Sequence, residues 1–541
     1  MKNHILKLLS VFIVCSACQH ATKNNTSEQN SEQKLAIISI NDVYRIAGIN
    51  NGKTGGLARV RELRKQIEAQ YQHVLFLHAG DFLHPSFTSK QDNGLAMIQT
   101  MNMLDGTLGQ FDDRMLVTWG NHEFDKGKNK HIPIMNELLA QSEFTWLDSN
   151  INWQPDSLQS EKMSKSTIIT FGDHKVGVFS YSTDIVHPEY IESFIGFKDI
   201  AEHYVPLLRN QGADFVIALT HQWLPDDLAM MELPENIRPD IIFGGHEHYV
   251  QTEQVNGRWI LKADADAASA IVAEVTFDDN RHQVMPQVVQ LDEAFAEDQD
   301  TVDLVQQLTQ NIDKKYCEKL NREGECLSKV LGYTKNQLMA EETEIRRFET
   351  NLGNTLADMI LEQFQSCDAD VVLLNSGSIR LNQNIPAGSG ITVKHLEEMF
   401  PYPSDLRLIE FERPVLMDVL AHSISSWTAN GHWLQIAGFV FIHDPDKQQV
   451  SHVHLKGELE GGFENRTDDK TTIRAVLPYY LISDSTDHDG YTMLNENMQV
   501  TCEQSGAQVK AMFKELLESQ SEPLEANRDY RICNTTRDQC H

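Results

Sequence analysis

A chain of 541 residues, 41% of them apolar, is long enough for about two to four domains with substantial cores. Its formal net charge of −32 repels nucleic-acid backbones and anionic membrane surfaces, so a nucleic-acid polymer is not expected as a partner. Anions are accommodated only where metal ions or local arginines reverse that field.

The chain opens with MKNHILKLLSVFIVCSAC, two lysines and an apolar run of signal-peptide length, too short to span a bilayer comfortably. Export is therefore expected, with residues 1–18 as the signal. Ser16, Ala17 and Cys18 resemble the end of a bacterial lipobox, which makes Cys18 the expected lipidated first residue and a lipid anchor the only expected membrane attachment. Ordinary signal cleavage is the alternative. Residues 19–34 are polar and cannot bury a core, and they read as a flexible tether to a bacterial cell envelope, periplasm-facing or at the outer-membrane surface.

From residue 35 to 298 strand-like and helical stretches alternate. LAIISIND and VLFLHAGD are short β-branched or apolar runs, and residues 55–70 place Leu57, Val60, Leu63 and Ile67 on one helical face. KVGVFSYSTD and ADFVIALTH repeat the strand–helix–strand rhythm, which predicts an α/β domain of layered sheets flanked by helices. Residues 299–335 read as a polar helical connector, and 336–541 as a second, smaller α/β domain. Six cysteines follow the signal, an even count that favours disulfides in an exported chain. Spacing prefers Cys317/Cys326 and Cys533/Cys540, leaving Cys367 with Cys502, without excluding other pairings.

Polar residues with metal-binding chemistry end several apolar runs in the first domain. Asp42 and Asp81 follow two of them, WGNHEFD carries Asn121, His122 and Asp125, and His221 ends FVIALTH. IIFGGHEH supplies His246 and His248. Ends of strands are where open α/β sheets place active sites. A mixed His, Asp and amide set suits zinc, manganese or similar divalent ions, and a carboxylate shared by two ions, for which Asp81 is the candidate, supports in-line displacement at phosphorus.

In this order the motifs resemble the calcineurin-like metallophosphoesterases. Together with the second domain they resemble the 5'-nucleotidase and UDP-sugar hydrolase family. The resemblance implies two divalent metal ions, with Asp42 and His248 at the first, Asn121, His221 and His246 at the second, and Asp81 shared. It further implies that His122 supports the transition state while Asp125 orients it. The family's D-x-H motif reads Asp42, Val43, Tyr44 here, so one ligand is missing. His84 stands three residues beyond Asp81. In the related purple acid phosphatases a tyrosine at that spacing binds the first metal, which makes His84 the expected replacement. Tyr44 is then a nearby hydrogen-bond donor or a weaker phenolate ligand.

In the second domain NSGSIR resembles the family's N-G-G-G-I-R. This implies substrate contacts from Asn375 and Arg380, with Arg346 or Arg347 adding charge for a nucleotide phosphate. MFPYPSD and LPYYLISDSTDHDGY offer Tyr402, Tyr480 and Asp489 for a nucleoside, the rings sandwiching its base. The implied activity is phosphate release from 5'-nucleotides by a metal-bridging hydroxide. The alternatives are hydrolysis of UDP-sugars, cyclic nucleotides or another phosphoester, or a surface-anchored binding protein with reduced catalysis.

Overall fold

In a computed structural model of the protein, the apolar runs of the first half become parallel strands whose C-terminal ends point the same way. Described are residues 34–540 except 278–281, 403–404, 426, 428–429, 456–470, 485 and 487. The signal, Cys18 and the tether up to residue 33 lie outside the described residues. Among the described residues no helix is long and apolar enough to cross a membrane.

Strand β1 (Lys34–Ile40), helix α1 (Leu57–Glu68), β2 (His73–His78) and β3 (Asp112–Thr118) form the heart of a seven-stranded sheet. β1, β2 and β3 are parallel, and Ser269–Thr276 runs antiparallel against the free edge of β1. A six-stranded sheet is built around β4 (Phe215–His221) and β5 (Ile241–Gly245), again parallel. Because strand side chains alternate, Leu35 and Ile37 of β1 enter the core between the sheets, where Leu75, Leu219 and Phe243 also pack. Ala36, Ile38 and Ile40 face the other way and pack with Leu57, Val60 and Leu63 of α1. Helix Phe197–Asn210 covers the outer face of the second sheet through Ile200, Val205 and Leu208. The first half is thus a four-layer sandwich of helix, sheet, sheet and helix, whose central strands are buried on both faces.

Helix α2 (Gln299–Lys319) begins at Asp298, whose side chain accepts from the Thr301 N–H. Its Val305, Leu308 and Ile312 pack into the first half's outer core, so the helix leans on that domain along its length. The second half follows: α3 (Glu342–Ile345), α4 (Asn351–Gln363), β6 (Val371–Asn375), β7 (Leu406–Glu412), β8 (Leu434–Ala437) and β9 (Thr472–Pro478). Its four-stranded sheet has the order β7-β9-β6-β8. Val372 and Leu374 pack with α4 on one face, and Val371 and Leu373 enter a separate core on the other. Thr350 caps α4 by accepting from the Gly353 N–H. Disulfides join Cys317 to Cys326, Cys367 to Cys502 and Cys533 to Cys540.

Candidate metal centre

Five of these strands deliver polar side chains to one place. Asp42 follows β1, Asp81 follows β2, Asn121 and His122 follow β3, His221 ends β4, and His246 and His248 follow β5. Four of these residues take left-handed backbone: Asp42 at φ 52°, Asp81 at 60°, His246 at 93° and His248 at 66°. Aspartate and histidine tolerate that region better than most side chains, yet it stays uncommon and persists where surrounding contacts over-determine it.

Those contacts are specific. The His246 N–H donates to Asp42 Oδ2 at 2.8 Å, and the His122 N–H to Asp81 Oδ1 at 2.8 Å. Glu123 is fully buried and accepts from the N–H groups of Asp81 at 2.8 Å, Phe82 at 2.7 Å, Leu83 at 3.0 Å and Gly120 at 2.6 Å, tying the β2 and β3 loops together. Burial and the Asp81 carboxylate push its carboxyl up to about 7 against the pull of those donors. Gly120 is required by closeness, since a Cβ there would meet Asp81 Oδ1 at 2.1 Å. Beneath the other sheet, Lys262 pairs with Asp227 at 2.8 Å and Glu247 at 2.6 Å. It also donates to the carbonyls of Gln222 and Gly245, which anchors the loops after β4 and β5.

The side chains converge in two groups that share Asp81. In one, Asn121 Oδ1 lies 3.2 Å from His221 Nε2 and 3.1 Å from His246 Nδ1, and His221 Nε2 lies 3.2 Å from Asp81 Oδ2. In the other, the Tyr44 hydroxyl lies 3.3 Å from Asp42 Oδ1, 3.1 Å from Asp81 Oδ2 and 3.0 Å from His248 Nε2. Among the described residues, no hydrogen bond or ion pair ties the His84 side chain to either group. Its Nε2 has no hydrogen-bond partner, and the charged groups acting on it are Asp125, Lys126, His122 and His131, on the side of the dyad. Burial lowers its imidazole to about 4. The Tyr44 hydroxyl, by contrast, stands between the two carboxylates and His248.

The donor set fits divalent cations. Asp42 and Asp81 are 0% and 1% exposed, and Asp42, Asp81 and His221 present ligand atoms within 4.8 Å of one another. Burial would raise Asp42 and Asp81, yet the histidines hold both low, His248 and His221 acting on Asp42 and His221 and His122 on Asp81, which sits at about 2. Reciprocally, burial would lower His221 and His248, but carboxylates raise them: Asp81 and Asp42 take His221 to about 10, and Glu342 and Asp42 take His248 to about 9. His246 is pushed well down by burial and by His221, leaving it neutral with a lone pair to offer. Protonated imidazoles therefore supply the positive charge that the carboxylates require, in the place a cation would take.

At the mouth, His122 Nδ1 donates to Asp125 Oδ1 at 2.9 Å, and the Tyr402 hydroxyl from the second half lies 3.3 Å from both His122 Nδ1 and Asp125 Oδ2. Burial would lower His122, but Asp125 and Asp81 raise it above its ordinary value. Arg380 lies 5.7 Å from the Tyr402 ring centre, and Arg346 pairs with Glu342. Arg347 instead lies over the Trp427 ring at 4.8 Å, so the structure separates the two neighbouring arginines. Asn375 donates to Asp489 Oδ2 at 2.7 Å, and Tyr480 stands 39% exposed after β9.

Glu123, Lys262 and Glu342 were not legible as site residues. Lys262, ending the apolar stretch RWILK, carried a usable signal: a charge at the end of a buried strand needs partners.

The chain matches the family described as calcineurin-like phosphoesterase over residues 35–250, and the 5'-nucleotidase C-terminal domain over residues 330–536. It is 24% identical over 517 residues to the snake venom 5'-nucleotidase of Crotalus adamanteus, covering 85% of this chain and 82% of the relative. The crystal structure of a 5'-nucleotidase precursor from Thermus thermophilus superposes with a TM-score of 0.75 at 22% identity, covering 93% of this chain and 100% of that one. The sulfate thiohydrolase SoxB of Thermus thermophilus superposes with a TM-score of 0.69 at 15% identity, covering 93% and 97%.

Metal loading of the protein at pH 7 is expected to expel protons from His221 and His248, since both stand raised, to about 10 and about 9. Affinity then rises with pH until those protons are gone. Calorimetric titration with Mn²⁺ in buffers of different ionisation enthalpy reads the number released; equal apparent enthalpies in all buffers would contradict the charge arrangement.

Proposed function

We propose that this chain, which belongs to the family joining a calcineurin-like phosphoesterase domain to a 5'-nucleotidase C-terminal domain, releases phosphate from 5'-nucleotides. It is a metal-dependent phosphoester hydrolase of nucleotides. The single observation that carries the finer reading is the approach of Tyr402 to the His122–Asp125 pair, which brings the second half's substrate residues to the edge of the metal centre.

Asp42, Tyr44, Asp81 and His248 would hold one divalent ion, and Asp81, Asn121, His221 and His246 the other. Such ions would supply the charge that polarises a phosphoryl group and lowers the pKa of water at the site. Asp125 keeps the His122 imidazole oriented and protonated, so that Nε2–H can stabilise charge growing on the phosphoryl oxygens. Arg346 and Arg380 bind the substrate's anionic groups, and Tyr402 and Tyr480 offer faces to the base. Asn375 and Asp489 brace each other at the nucleoside end. The second half thereby supplies orientation and the first half the reaction.

His122→Ala should lower kcat by about two to four orders of magnitude with little change in substrate affinity. Tyr402→Ala and Tyr480→Ala should each weaken nucleotide binding by about 1–3 kcal/mol while sparing a small aryl phosphate. Phosphate release from a panel of 5'-nucleotides, UDP-sugars, cyclic nucleotides and aryl phosphate tests both statements. Equal losses on nucleotide and aryl phosphate would remove the stacking role, and a cyclic nucleotide or UDP-sugar as the preferred substrate would replace the 5'-nucleotide reading.

Tyr44, rather than His84, is proposed to complete the first ion's donors. Elemental analysis should find about two ions per chain in the parent protein and in His84→Ala, and about one in Tyr44→Phe. The reverse pattern would return the role to His84.

Cys18 is proposed as a lipidated N-terminus that tethers the enzyme to the bacterial envelope. Globomycin should accumulate an uncleaved precursor, and Cys18→Ala should leave the membrane fraction. An unchanged mature N-terminus and fractionation in Cys18→Ala would overturn the anchor.

A further inference from the structure

Glu342 lies in α3, the single turn near the start of the second half, 94 residues from His248 in the chain. Its Oε2 nevertheless accepts from His248 Nδ1 at 2.7 Å. The opposite ring nitrogen, Nε2, is the one that faces Asp42 Oδ1 at 3.3 Å and the Tyr44 hydroxyl at 3.0 Å. No first-half group among the described residues hydrogen-bonds to His248 Nδ1. An imidazole offers a cation only one nitrogen at a time, and a carboxylate on the other nitrogen selects the tautomer, fixes the ring plane and raises basicity.

The carboxylate is itself held firmly. Glu342 is 6% exposed, and its N–H donates to Asn382 Oδ1 at 3.2 Å. Asn382 Nδ2 donates to Asp266 Oδ2 at 3.1 Å, and Asp266 belongs to the first half. Asp266 also accepts from the N–H groups of Tyr44 at 3.0 Å and Arg45 at 3.1 Å and pairs with the Arg45 side chain at 2.7 Å; that same guanidinium donates to the Arg380 carbonyl. The seam therefore locks the Asp42–Tyr44 loop to the segment that carries Glu342. Its second oxygen, Oε1, pairs with Arg346, so one carboxylate touches both a residue of the metal centre and a substrate arginine.

We propose that Glu342 is a positioning residue through which the second domain completes the first metal site, by orienting His248 across the seam. The inference rests on the reading that Asp42, Tyr44, Asp81 and His248 hold an ion. Seating of the second domain and occupancy of that ion are then coupled, and by linkage each favours the other.

Equilibrium dialysis of Mn²⁺ alone against the full chain tests this without reference to activity. Glu342→Ala should weaken one of two ions by about 10- to 100-fold and leave the other unchanged. Glu342→Gln, whose amide oxygen still accepts from Nδ1–H, should lose less. His248→Ala should weaken that site measurably, and Glu342→Ala added to it should cause no further loss; this non-additivity separates action through His248 from general loosening of the fold. Should Glu342→Ala fail to fold, the Glu342→Gln, His248→Ala and double Glu342→Gln/His248→Ala proteins complete the same cycle. Parental affinity for both ions in the Glu342 variants, or additive losses in the cycle, would overturn the proposal alone. A His248→Ala protein with the parent's metal content would instead overturn the metal-site reading beneath it.

Discussion

Two carboxylates buried side by side are the constraint around which the catalytic half is built. Asp42 and Asp81 share the Tyr44 hydroxyl between them and are shut away from water. Burying one unpaired charge costs several kcal/mol, and like charges at this range repel strongly in a low-dielectric interior. The arrangement is tolerable only if positive charge is delivered to the same spot. Imidazolium groups on His221 and His248 deliver it here, in a geometry that divalent ions would satisfy better because they bring more charge with no side-chain volume.

Holding that cluster requires unusual backbone, and the surrounding buried charges explain how it persists. Left-handed residues cost of order 1–3 kcal/mol each unless their surroundings over-determine them. Glu123 gathers four N–H groups from two loops, and Lys262 gathers two carboxylates and two carbonyls from two others. Each is a buried ionisable group whose partners are backbone groups or side chains of the loops it ties together. Removing either leaves unpaired groups inside the protein as well as freeing the loops.

The two halves divide the chemistry. The sandwich supplies donors at the ends of strands that cannot shift without breaking its core, and the second half brings Tyr402, with Arg380 beside it, and Arg346 to the edge of the same centre. The fold is shared with structures named as a 5'-nucleotidase and as a sulfate thiohydrolase, and a shared fold does not by itself fix the substrate.

From sequence alone, β-branched runs ending in Asp42, Asp81, Asn121, His221 and the His246–His248 pair determined an α/β layer with polar residues at strand ends. Local periodicity and termination are encoded within a few residues of each position. The same reading selected His84 by its spacing from Asp81, whereas only folding brings the Tyr44 hydroxyl to both carboxylates. The backbone turns left-handed at Asp81, and the loop after it carries His84 toward Asp125, whereas the turn after Asp42 lays Tyr44 over both carboxylates. The separation of Arg346 from Arg347, the buried clamp of Glu123 and the reach of Glu342 to His248 were likewise settled only by folding. Each depends on which groups meet across loops, sheets or domains distant in the chain, and a one-dimensional spacing carries no record of which contacts satisfy a buried charge.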